Sequence, residues 1–392
     1  MKIGIASCYE HHNYGSMLQA FATEKIVNKL GYEAITVAHH KPISYMTQSK
    51  TRYYYHKITN RDIVKSKIKI IKGRIEENKI EEVVNGIRIR NSYFDNFSNN
   101  FFNLSDMMEN REDLTRFASS CDAFIVGSDQ LWNPVNVEHD FYTLTFVPDN
   151  IKKISYATSI GTISLPTYQI KTYQKFLNRF NYISVREQNA VDLIRKLGIN
   201  KDVHLVLDPT LLLTAEDWST VQSENPFIDD DYIFCYFLGD NQWHRKVAEQ
   251  VKKMTGYKIV TLPHLDEFIA SDQNFGDIKP YNVGPIEFVN LIRNAKYVCT
   301  DSFHGTCFSI LNHKSFIDFN RFNEKNSQST NTRIDSLLSE LGLQDRKIID
   351  SNISDQELTD VFKKEINYDN VDKMLEAKRR KSICFLQSAL SS

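Results

Sequence analysis

The segment Thr300–Thr306 reads Thr-Asp-Ser-Phe-His-Gly-Thr and brings a carboxylate, hydroxyls and an imidazole onto one short stretch of chain. The largely apolar run 295–299 before it predicts a β-strand, and the run 307–311 after it predicts a helix. In an open α/β sheet, ligands bind at the turns that follow the strands. Imidazole transfers protons near neutral pH, so His304 is the best candidate in this chain for a catalytic acid.

The same turn has the features of an anion site. The first backbone N–H groups of a helix lack partners within the helix, and the helix dipole favours negative charge beside them. We therefore expect Ser302, Gly305 and Thr306 to face an anionic ligand. The alternative is a helix start capped by Asp301 or Ser302.

A second turn of the same build follows the apolar run 123–126, and its Gly-Ser-Asp sequence ends in Asp129. The carboxylate of Asp129 could accept hydrogen bonds from ligand hydroxyls or take a proton from one of them. Gln130 and the indole of Trp132 follow as further contacts for such a ligand. The alternative is that Asp129 caps the next helix and Trp132 packs in the core.

The first strand of the chain also leads into a polar turn. There the free N–H groups of a helix start would meet a phosphate or a sugar. This turn consists of Asn13, Tyr14, Gly15 and Ser16. His11 and His12 precede it, but the other ligands that a metal ion needs are not evident at a matching spacing. We therefore expect no metal site.

In their order and spacing, five segments resemble the polysaccharide pyruvyl transferase family. They are residues 13–20, 121–133, 184–187, 207–212 and 300–306. The likeness covers most of residues 1–345. It implies two facing Rossmann-like domains, as in the two-domain GT-B-like glycosyltransferases. It also implies transfer of the enolpyruvyl unit of phosphoenolpyruvate onto a sugar as a pyruvate ketal.

The resemblance assigns roles to the residues already singled out. His304 and Asp129 are the implied catalytic residues. The implied donor-binding residues are Arg186, Ser302, Gly305, Thr306 and Arg333. The implied acceptor-binding residues are Asn13, Tyr14, Gly15, Ser16, Gln130 and Trp132, the last by stacking on the apolar face of a sugar ring. The resemblance implies no cofactor besides the donor substrate.

The chain departs from the better-studied members at Ser302, where those members carry an arginine two residues before the histidine. Arg186 matches a donor-binding arginine, whose planar fork can hold a carboxylate or phosphate at two points. The alternative for Arg186 is an ion pair with Glu187 or Asp208.

Strand-like runs alternate with helical patterns along most of the chain, which predicts an α/β fold with mainly parallel sheets. A polar stretch at 223–231 interrupts the alternation. We therefore predict an N-terminal domain over 1–222, on the acceptor side, and a C-terminal domain over 232–369, on the donor side. Residues 370–392 form a helical stretch that is expected to pack back on the first domain.

A basic helical insertion is predicted at about 50–90. Its residues 50–74 carry nine Lys and Arg against the single acid Asp62, and Val64, Ile68, Ile71 and Ile75 form one helical stripe. Because acceptors in this family are often lipid-linked, the insertion is a candidate for contact with anionic membrane headgroups. The alternative is a core-packed helix with a solvated basic face.

Composition narrows the class of protein. The net charge of −1 over 392 residues gives no case for nucleic-acid binding. Six cysteines without CxxC spacing and no signal peptide predict a cytoplasmic protein, working at the inner face of the membrane if the basic insertion binds there. The sequence specifies neither the oligomeric state nor the acceptor sugar.

These observations lead to a pyruvyl transferase acting on a cell-surface polysaccharide or its precursor. The main alternative is a glycosyltransferase that uses a nucleotide sugar on the same scaffold. A third reading, from a different class, is a glycan-binding protein without catalytic activity.

Overall fold

A computed structural model describes residues 1–39, 51–55, 71–73, 75, 80–137, 141–264, 268–322 and 331–391. The first sheet contains β1 (Lys2–Ala6), β2 (Glu33–Thr36), β3 (Ala123–Val126), β4 (Lys152–Ser155), β5 (Tyr182–Val185) and β6 (Val203–Leu205). The second contains β7 (Tyr232–Tyr236), β8 (Lys258–Thr261), β9 (Tyr297–Thr300), β10 (Ser315–Phe319) and β11 (Lys347–Ile348). The strand orders are β2-β1-β3-β4-β5-β6 and β11-β10-β9-β7-β8.

Helices connect the strands of both sheets. The α-helices are α1 (Tyr14–Lys29), α2 (Glu81–Phe101), α3 (Arg111–Ser119), α4 (Ile170–Leu177), α5 (Gln188–Lys196), α6 (Ala215–Ser219), α7 (Gln242–Thr255), α8 (Pro285–Asn294), α9 (Phe303–Leu311), α10 (Thr332–Glu340), α11 (Asp355–Lys363) and α12 (Tyr368–Ser391). Short 3₁₀ segments lie at Thr167–Gln169, Pro209–Leu211, Ala270–Gln273 and Gln344–Arg346. Residues 51–55 and 71–73 are also helical.

All the strand pairs are parallel, as the alternation of strands and helices predicts. Helices cover both faces of such sheets, so the central strands are apolar throughout rather than alternating. All four residues of β3 and all five of β7 are buried. The two-residue strand β11 is missed by sequence analysis because it is too short to carry a pattern.

The two sheets separate at the polar stretch 223–231, yet the two halves of the chain share one core. A single apolar cluster includes Ile5 of β1 and Phe234 of β7. Tyr14 of α1 stacks on Phe288 of α8, with ring centroids 4.6 Å apart, and its hydroxyl donates to the carbonyl of Val283 at 3.0 Å. The halves are therefore joined by both apolar contacts and hydrogen bonds.

Helix α12 leaves the second half and packs on the first. The hydroxyl of Ser382 accepts a hydrogen bond from the backbone N–H of Leu207 at 3.0 Å, and Arg379 donates to the carbonyl of Leu211 at 3.0 Å. The ring of Phe385 lies 6.4 Å from that of Tyr156, just after β4. The residue bounds given above for the domains stay a prediction.

The basic insertion lies mostly outside the described residues, including Val64 and Ile68 of the predicted apolar stripe. The two described members of that stripe, Ile71 and Ile75, are 61% and 54% exposed. These two side chains are not packed in the core, contrary to the core-packed alternative.

The thiols are free, and five of the six are buried. Cys384 is exposed on α12, because the apolar face of that helix is turned toward Leu207 and its neighbours. In the described part of the chain, none of the helices combines the length and the apolar character that a bilayer crossing requires.

Candidate active site

A cavity of about 320 Å³ lies between the two sheets, at the turns that follow their strands. Asp129 and Gln130 line it from the turn after β3, while Ser302, Phe303 and His304 line it from the turn after β9. The predicted pair of facing turns is therefore brought together. Both turns lie at the carboxyl ends of parallel strands, where α/β sheets place their ligand sites.

Asp129 adopts a backbone conformation that side chains rarely take. Its φ angle is +80°, in the left-handed region that favours glycine. A hydrogen bond of 2.8 Å from the N–H of Ser159 to its carbonyl helps to hold this geometry. Strained positions of this kind cluster at functional sites, and here the strain aims a carboxylate at the cleft.

Arg186 follows β5 and is the hub of the charged network. Its Nη1 lies 2.5 Å from Oδ2 of Asp208 and 3.1 Å from Oγ of Ser128, and its Nη2 lies 3.1 Å from Oδ1 of Asp129. The Arg186 side chain is 1% exposed and that of Asp208 is fully buried. One guanidinium thus pairs with two carboxylates, of which Asp208 is one of the two predicted alternatives. Glu187, the other, instead accepts from Ser159 at 2.9 Å.

The protonation of this network follows from its pairing. Burial by itself would raise the pKa of Asp129, but the charges of Arg186 and His304 outweigh it and hold that pKa below its usual range. Burial also opposes ionisation of Asp208, whose pKa is nevertheless lowered by His304 and Arg186. The two carboxylates raise the pKa of Arg186 despite its burial. Asp129 and Asp208 are therefore anions, and poor proton acceptors, at neutral pH.

His304 lies in the first turn of α9. Its Nε2 is 3.7 Å from Oδ2 of Asp208, longer than a hydrogen bond, and has no hydrogen-bond partner among the described residues. The imidazole is 7% exposed and lines the cleft. The buried Nε2 thus faces the carboxylate of Asp208, while the ring as a whole lines the cleft.

Gly15 fixes where the imidazole lies. A Cβ atom at Gly15 would be 1.9 Å from Nδ1 of His304, which no packing tolerates. The first turn of α1 therefore approaches α9 across the two halves as closely as a glycine allows. Gly15 is predicted to contact a ligand, but in the structure it packs against His304.

Two guanidinium groups lie against the ring of Phe303. The Arg186 Cζ atom is 4.7 Å and the Arg333 Cζ atom 5.7 Å from the ring centroid. Arg333 lines the cleft from α10, and burial together with the charge of Arg186 lowers its pKa to about 10. Arg333 remains a cation at neutral pH, and an anion bound beside it would relieve both effects.

The predicted anion-binding turn is largely occupied by its own cap. Ser302 is the N-cap of α9, and its hydroxyl accepts from the N–H of Gly305 at 3.3 Å. The hydroxyl of Thr306 is turned inward, donating to the carbonyl of Ser302 at 3.0 Å and to Oδ2 of buried Asp318 at 2.5 Å. Gly305 and Thr306 are therefore corrected from ligand contacts to structural residues, while Ser302 lines the cleft.

Four residues of the predicted acceptor wall lie at the cleft, and their acceptor role stays a prediction. The side chain of Asn13 caps α1 by accepting from the N–H of Ser16 at 3.1 Å, and Oγ of Ser16 donates to Oδ2 of Asp129 at 2.6 Å. Asn13, Ser16, Tyr14 and Gln130 all line the cleft. Tyr14 does so while bonded across the two halves.

Trp132 is a correction. Its side chain is 0% exposed, its indole N–H donates to the carbonyl of Tyr142 at 3.0 Å, and its ring packs on Phe176 and Phe180. An indole buried in this way cannot stack on a sugar. The core-packing alternative holds because the chain turns inward after Gln130.

Asp301 is corrected as well, since it caps no helix. Its carboxylate accepts from the backbone N–H groups of Leu238 at 2.6 Å and Gly239 at 3.1 Å, in the loop after β7. Burial opposes ionisation of Asp301 most strongly, but His244, whose Nδ1 lies 3.5 Å from Oδ2, and the charge of Arg321 together lower the pKa of Asp301. A carboxylate of the protein thus occupies the N–H groups that begin this loop.

Sequence analysis does not single out three further residues. Ser128 accepts from Arg186 and donates to Asp208. His264 lines the cleft after β8, and Arg90 lines it from α2. His264 follows a strand end, as His304 does, and that shared position is a signal that could have found it. Nothing in the sequence around Arg90 marks it as a site residue. Within the described ranges, no three His, Cys, Asp or Glu side chains are grouped so that they could hold a metal ion.

Comparison with known proteins adds a family and a fold. The family model described as polysaccharide pyruvyl transferase matches residues 13–320. The comparison with curated proteins finds no match to the sequence. Among solved structures, the UDP-GlcNAc 2-epimerase of Methanocaldococcus jannaschii is 13% identical with a TM-score of 0.52, covering 94% of this chain and 93% of its own. A UDP-GlcNAc 2-epimerase from Neisseria meningitidis is 11% identical with a TM-score of 0.51, covering 96% and 94%. At such identity these likenesses bear on the fold alone, and they confirm the two-domain GT-B-like architecture.

Proposed function

Because the chain belongs to the polysaccharide pyruvyl transferase family, we propose that it transfers the enolpyruvyl unit of phosphoenolpyruvate to a sugar of a cell-surface polysaccharide or its precursor. The protein is a polysaccharide-modifying transferase by family, and the identity of the donor is the proposed step. The observation that carries it is that the imidazole of His304 and the cation of Arg333 line one cleft.

Phosphoenolpyruvate is a small anion with a carboxylate and a phosphate. Its binding site must therefore supply cations and N–H donors. Arg333 supplies a planar fork suited to either group. Arg321, which also lines the cleft, supplies a second cation. These two arginines take the part that an arginine at position 302 plays in the better-studied members.

The alternative donor, a nucleotide sugar, would need a place for its diphosphate. The loop after β7 would be the natural place on this fold, but the carboxylate of Asp301 already holds the N–H groups of Leu238 and Gly239. A diphosphate placed there would meet that carboxylate in place of free N–H donors, whereas the anionic groups of phosphoenolpyruvate lie near Arg333 and Arg321 in the proposed site. This favours phosphoenolpyruvate over a nucleotide sugar.

The reaction balances as follows. A proton adds to the methylene carbon of the donor, a sugar hydroxyl bonds to the neighbouring carbon and loses its proton, and the C–O bond to phosphate breaks. A second hydroxyl of the same sugar then bonds to that carbon and loses its proton, which closes the ketal. The two protons lost by the hydroxyls are matched by one gained at the methylene carbon and one gained by the phosphate. We assign proton delivery to His304, and stabilisation of the leaving phosphate to Arg333. No cofactor or metal takes part in these steps.

The acceptor lies against Asn13, Ser16 and Gln130 on the opposite wall. The acceptor class proposed is a lipid-linked saccharide, which places the enzyme at the cytoplasmic face of a membrane. The exposed Ile71 and Ile75 of the basic insertion would supply the apolar part of such a contact.

The test uses the purified protein, phosphoenolpyruvate and an oligosaccharide acceptor, with phosphate release and a pyruvate ketal on the product as readouts. We expect phosphate and the pyruvate ketal to form in equal amounts. We expect the same result when a metal chelator is added. In parallel thermal melts, phosphoenolpyruvate should raise the melting temperature. Transfer seen only with a nucleotide sugar would overturn the proposal in favour of a glycosyltransferase.

A further inference from the structure

A second histidine faces the cleft from the loop after β8. Nδ1 of His264 lies 2.6 Å from Oδ2 of Asp272, and the backbone N–H of His264 donates to the same oxygen at 3.2 Å. Nη2 of Arg245 lies 2.6 Å from the other carboxylate oxygen. His264, Asp272 and Arg245 thus form a chain of charge-assisted contacts, hereafter the His264 triad.

The His264 triad is rigid and shielded from water. The side chains of His264, Asp272 and Arg245 are 9%, 8% and 5% exposed. Arg245 also donates to the carbonyls of Gly239 and Asn241, at 3.2 Å each. Its guanidinium is therefore fixed by the loop after β7, and it holds the carboxylate in one orientation.

The loop carrying His264 is also fixed from the other half of the chain. Arg90 of α2 donates to the carbonyl of Pro263 at 2.5 Å and to that of Pro280 at 2.8 Å. The imidazole lines the same cleft as His304. The position of His264 relative to the first half is thus set by a buried arginine rather than by loop packing alone.

Nε2 of His264 is buried and has no hydrogen-bond partner among the described residues. A buried polar atom left unpaired costs free energy, so its presence calls for a partner that the protein itself does not supply. With Nδ1 donating to Asp272, Nε2 carries the lone pair and is a proton acceptor. A hydroxyl of a ligand in the cleft is the complementary group.

The chemistry of ketal formation requires such an acceptor. Two sugar hydroxyls lose protons, and His304 returns only one proton to the methylene carbon. Asp129 is poorly placed to collect the other, because one oxygen accepts from Arg186 at 3.1 Å and the other from Ser16 at 2.6 Å.

We propose that His264 is a catalytic base that takes the proton of an acceptor hydroxyl on Nε2 as the hydroxyl oxygen bonds to the ketal carbon. The inference rests on the proposed function. Asp272 and Arg245 are positioning residues: the carboxylate holds the imidazole by Nδ1 and stabilises the imidazolium that forms. The proton is then carried away by the departing phosphate, which is released as hydrogen phosphate.

The experiment compares His264→Gln, His264→Ala and Asp272→Asn with the parent in transfer from phosphoenolpyruvate. His313→Gln is the matched control, since His313 also pairs with an aspartate, Asp372, at 3.1 Å but is 51% exposed and outside the cleft. We expect His264→Gln to lose ~10²–10⁴-fold in kcat, as for a general base, with an unchanged shift of the melting temperature by phosphoenolpyruvate. His313→Gln should match the parent.

Two further readouts separate a base from a packing residue. Added imidazole should restore part of the kcat of His264→Ala, and Asp272→Asn should move the acidic limb of the pH profile of kcat. Activity of His264→Gln within about threefold of the parent, well under the usual contribution of a base, would overturn the inference alone. So would a loss in His264→Ala that imidazole leaves unchanged while the donor still stabilises the fold. A parent protein unable to transfer from phosphoenolpyruvate would overturn the proposed function with it.

Discussion

At the scale of single residues, Arg186 shows how burial decides between two roles. Its guanidinium is committed to Asp208 at 2.5 Å and to Asp129 at 3.1 Å, and the side chain is 1% exposed. A buried cation that pairs with two carboxylates stabilises the fold before it can serve a ligand. Donor binding by Arg186 stays a prediction, and Arg333 is the arginine placed to contact the donor.

Replacing Arg186 tests that division. Arg186→Met leaves two carboxylates without their shared cation, which costs about 3–5 kcal/mol when a buried pair is broken. We expect the free energy of unfolding in urea to fall by that amount. A fall under 1 kcal/mol, with an unchanged fold, would mean that the pairing is compensated elsewhere.

Replacing Arg333 tests the other side. Hydrogen bonds to charged groups contribute about 1.5–3 kcal/mol, so Arg333→Met should raise the KM for phosphoenolpyruvate by roughly 10- to 100-fold. The KM for the acceptor serves as the internal control and should stay near the parental value. Equal changes in the KM for phosphoenolpyruvate and the KM for the acceptor would mean that Arg333 does not bind the donor.

His304 gives the sharpest prediction at this scale. Glutamine is close to histidine in size and can form a hydrogen bond in its place, but its amide cannot deliver a proton near neutral pH. His304→Gln should therefore lose ~10²–10⁴-fold in single-turnover rate, with little change in melting temperature. A changed melting temperature together with a rate within about threefold of the parent, far less than a general acid contributes, would make His304 structural.

At the scale of elements, helix α1 can pack closely against the imidazole of His304 because Gly15 has no side chain. Gly15→Ala would place a methyl group 1.9 Å from Nδ1 of His304, so α1 and α9 must separate. We expect a cost of about 1–3 kcal/mol from overpacking and a large loss of transfer rate. Gly127→Ala is the control, because its Cβ would lie 3.5 Å from Ser7, an ordinary contact.

The elements are also what sequence analysis predicts best. Apolar runs such as 123–126 and 297–299 predict buried strands. Because the strands are parallel, the turns that follow them lie at one edge of each sheet. The site is less predictable because its contacts join distant residues: Arg186 and Asp208 are 22 positions apart, and Arg90 and Pro263 are 173 apart. Trp132 was misassigned since a turn residue and a core residue share one local pattern.

At the scale of the whole molecule, the network around Arg186 couples stability to pH. The pKa values of Asp129 and Asp208 are lowered in the folded protein. Such groups contribute stability that is fully present above the unfolded pKa of about 3.9 and is lost as pH falls toward the folded values. We expect the melting temperature to drop steeply below about pH 4. Asp208→Asn should melt lower at pH 7 but show a shallower drop, and an equal drop in both proteins would place the acid sensitivity elsewhere.

The left-handed backbone of Asp129 has a consequence for how this chain can change over generations. A non-glycine residue at φ +80° costs of order 1–3 kcal/mol, but the carboxylate at this position accepts from both Arg186 and Ser16. Glycine at 129 would relieve the strain and lose both contacts, so stability and chemistry favour the same carboxylate. Laboratory selection for survival at high temperature alone should therefore keep Asp129, as selection for the glycan product should.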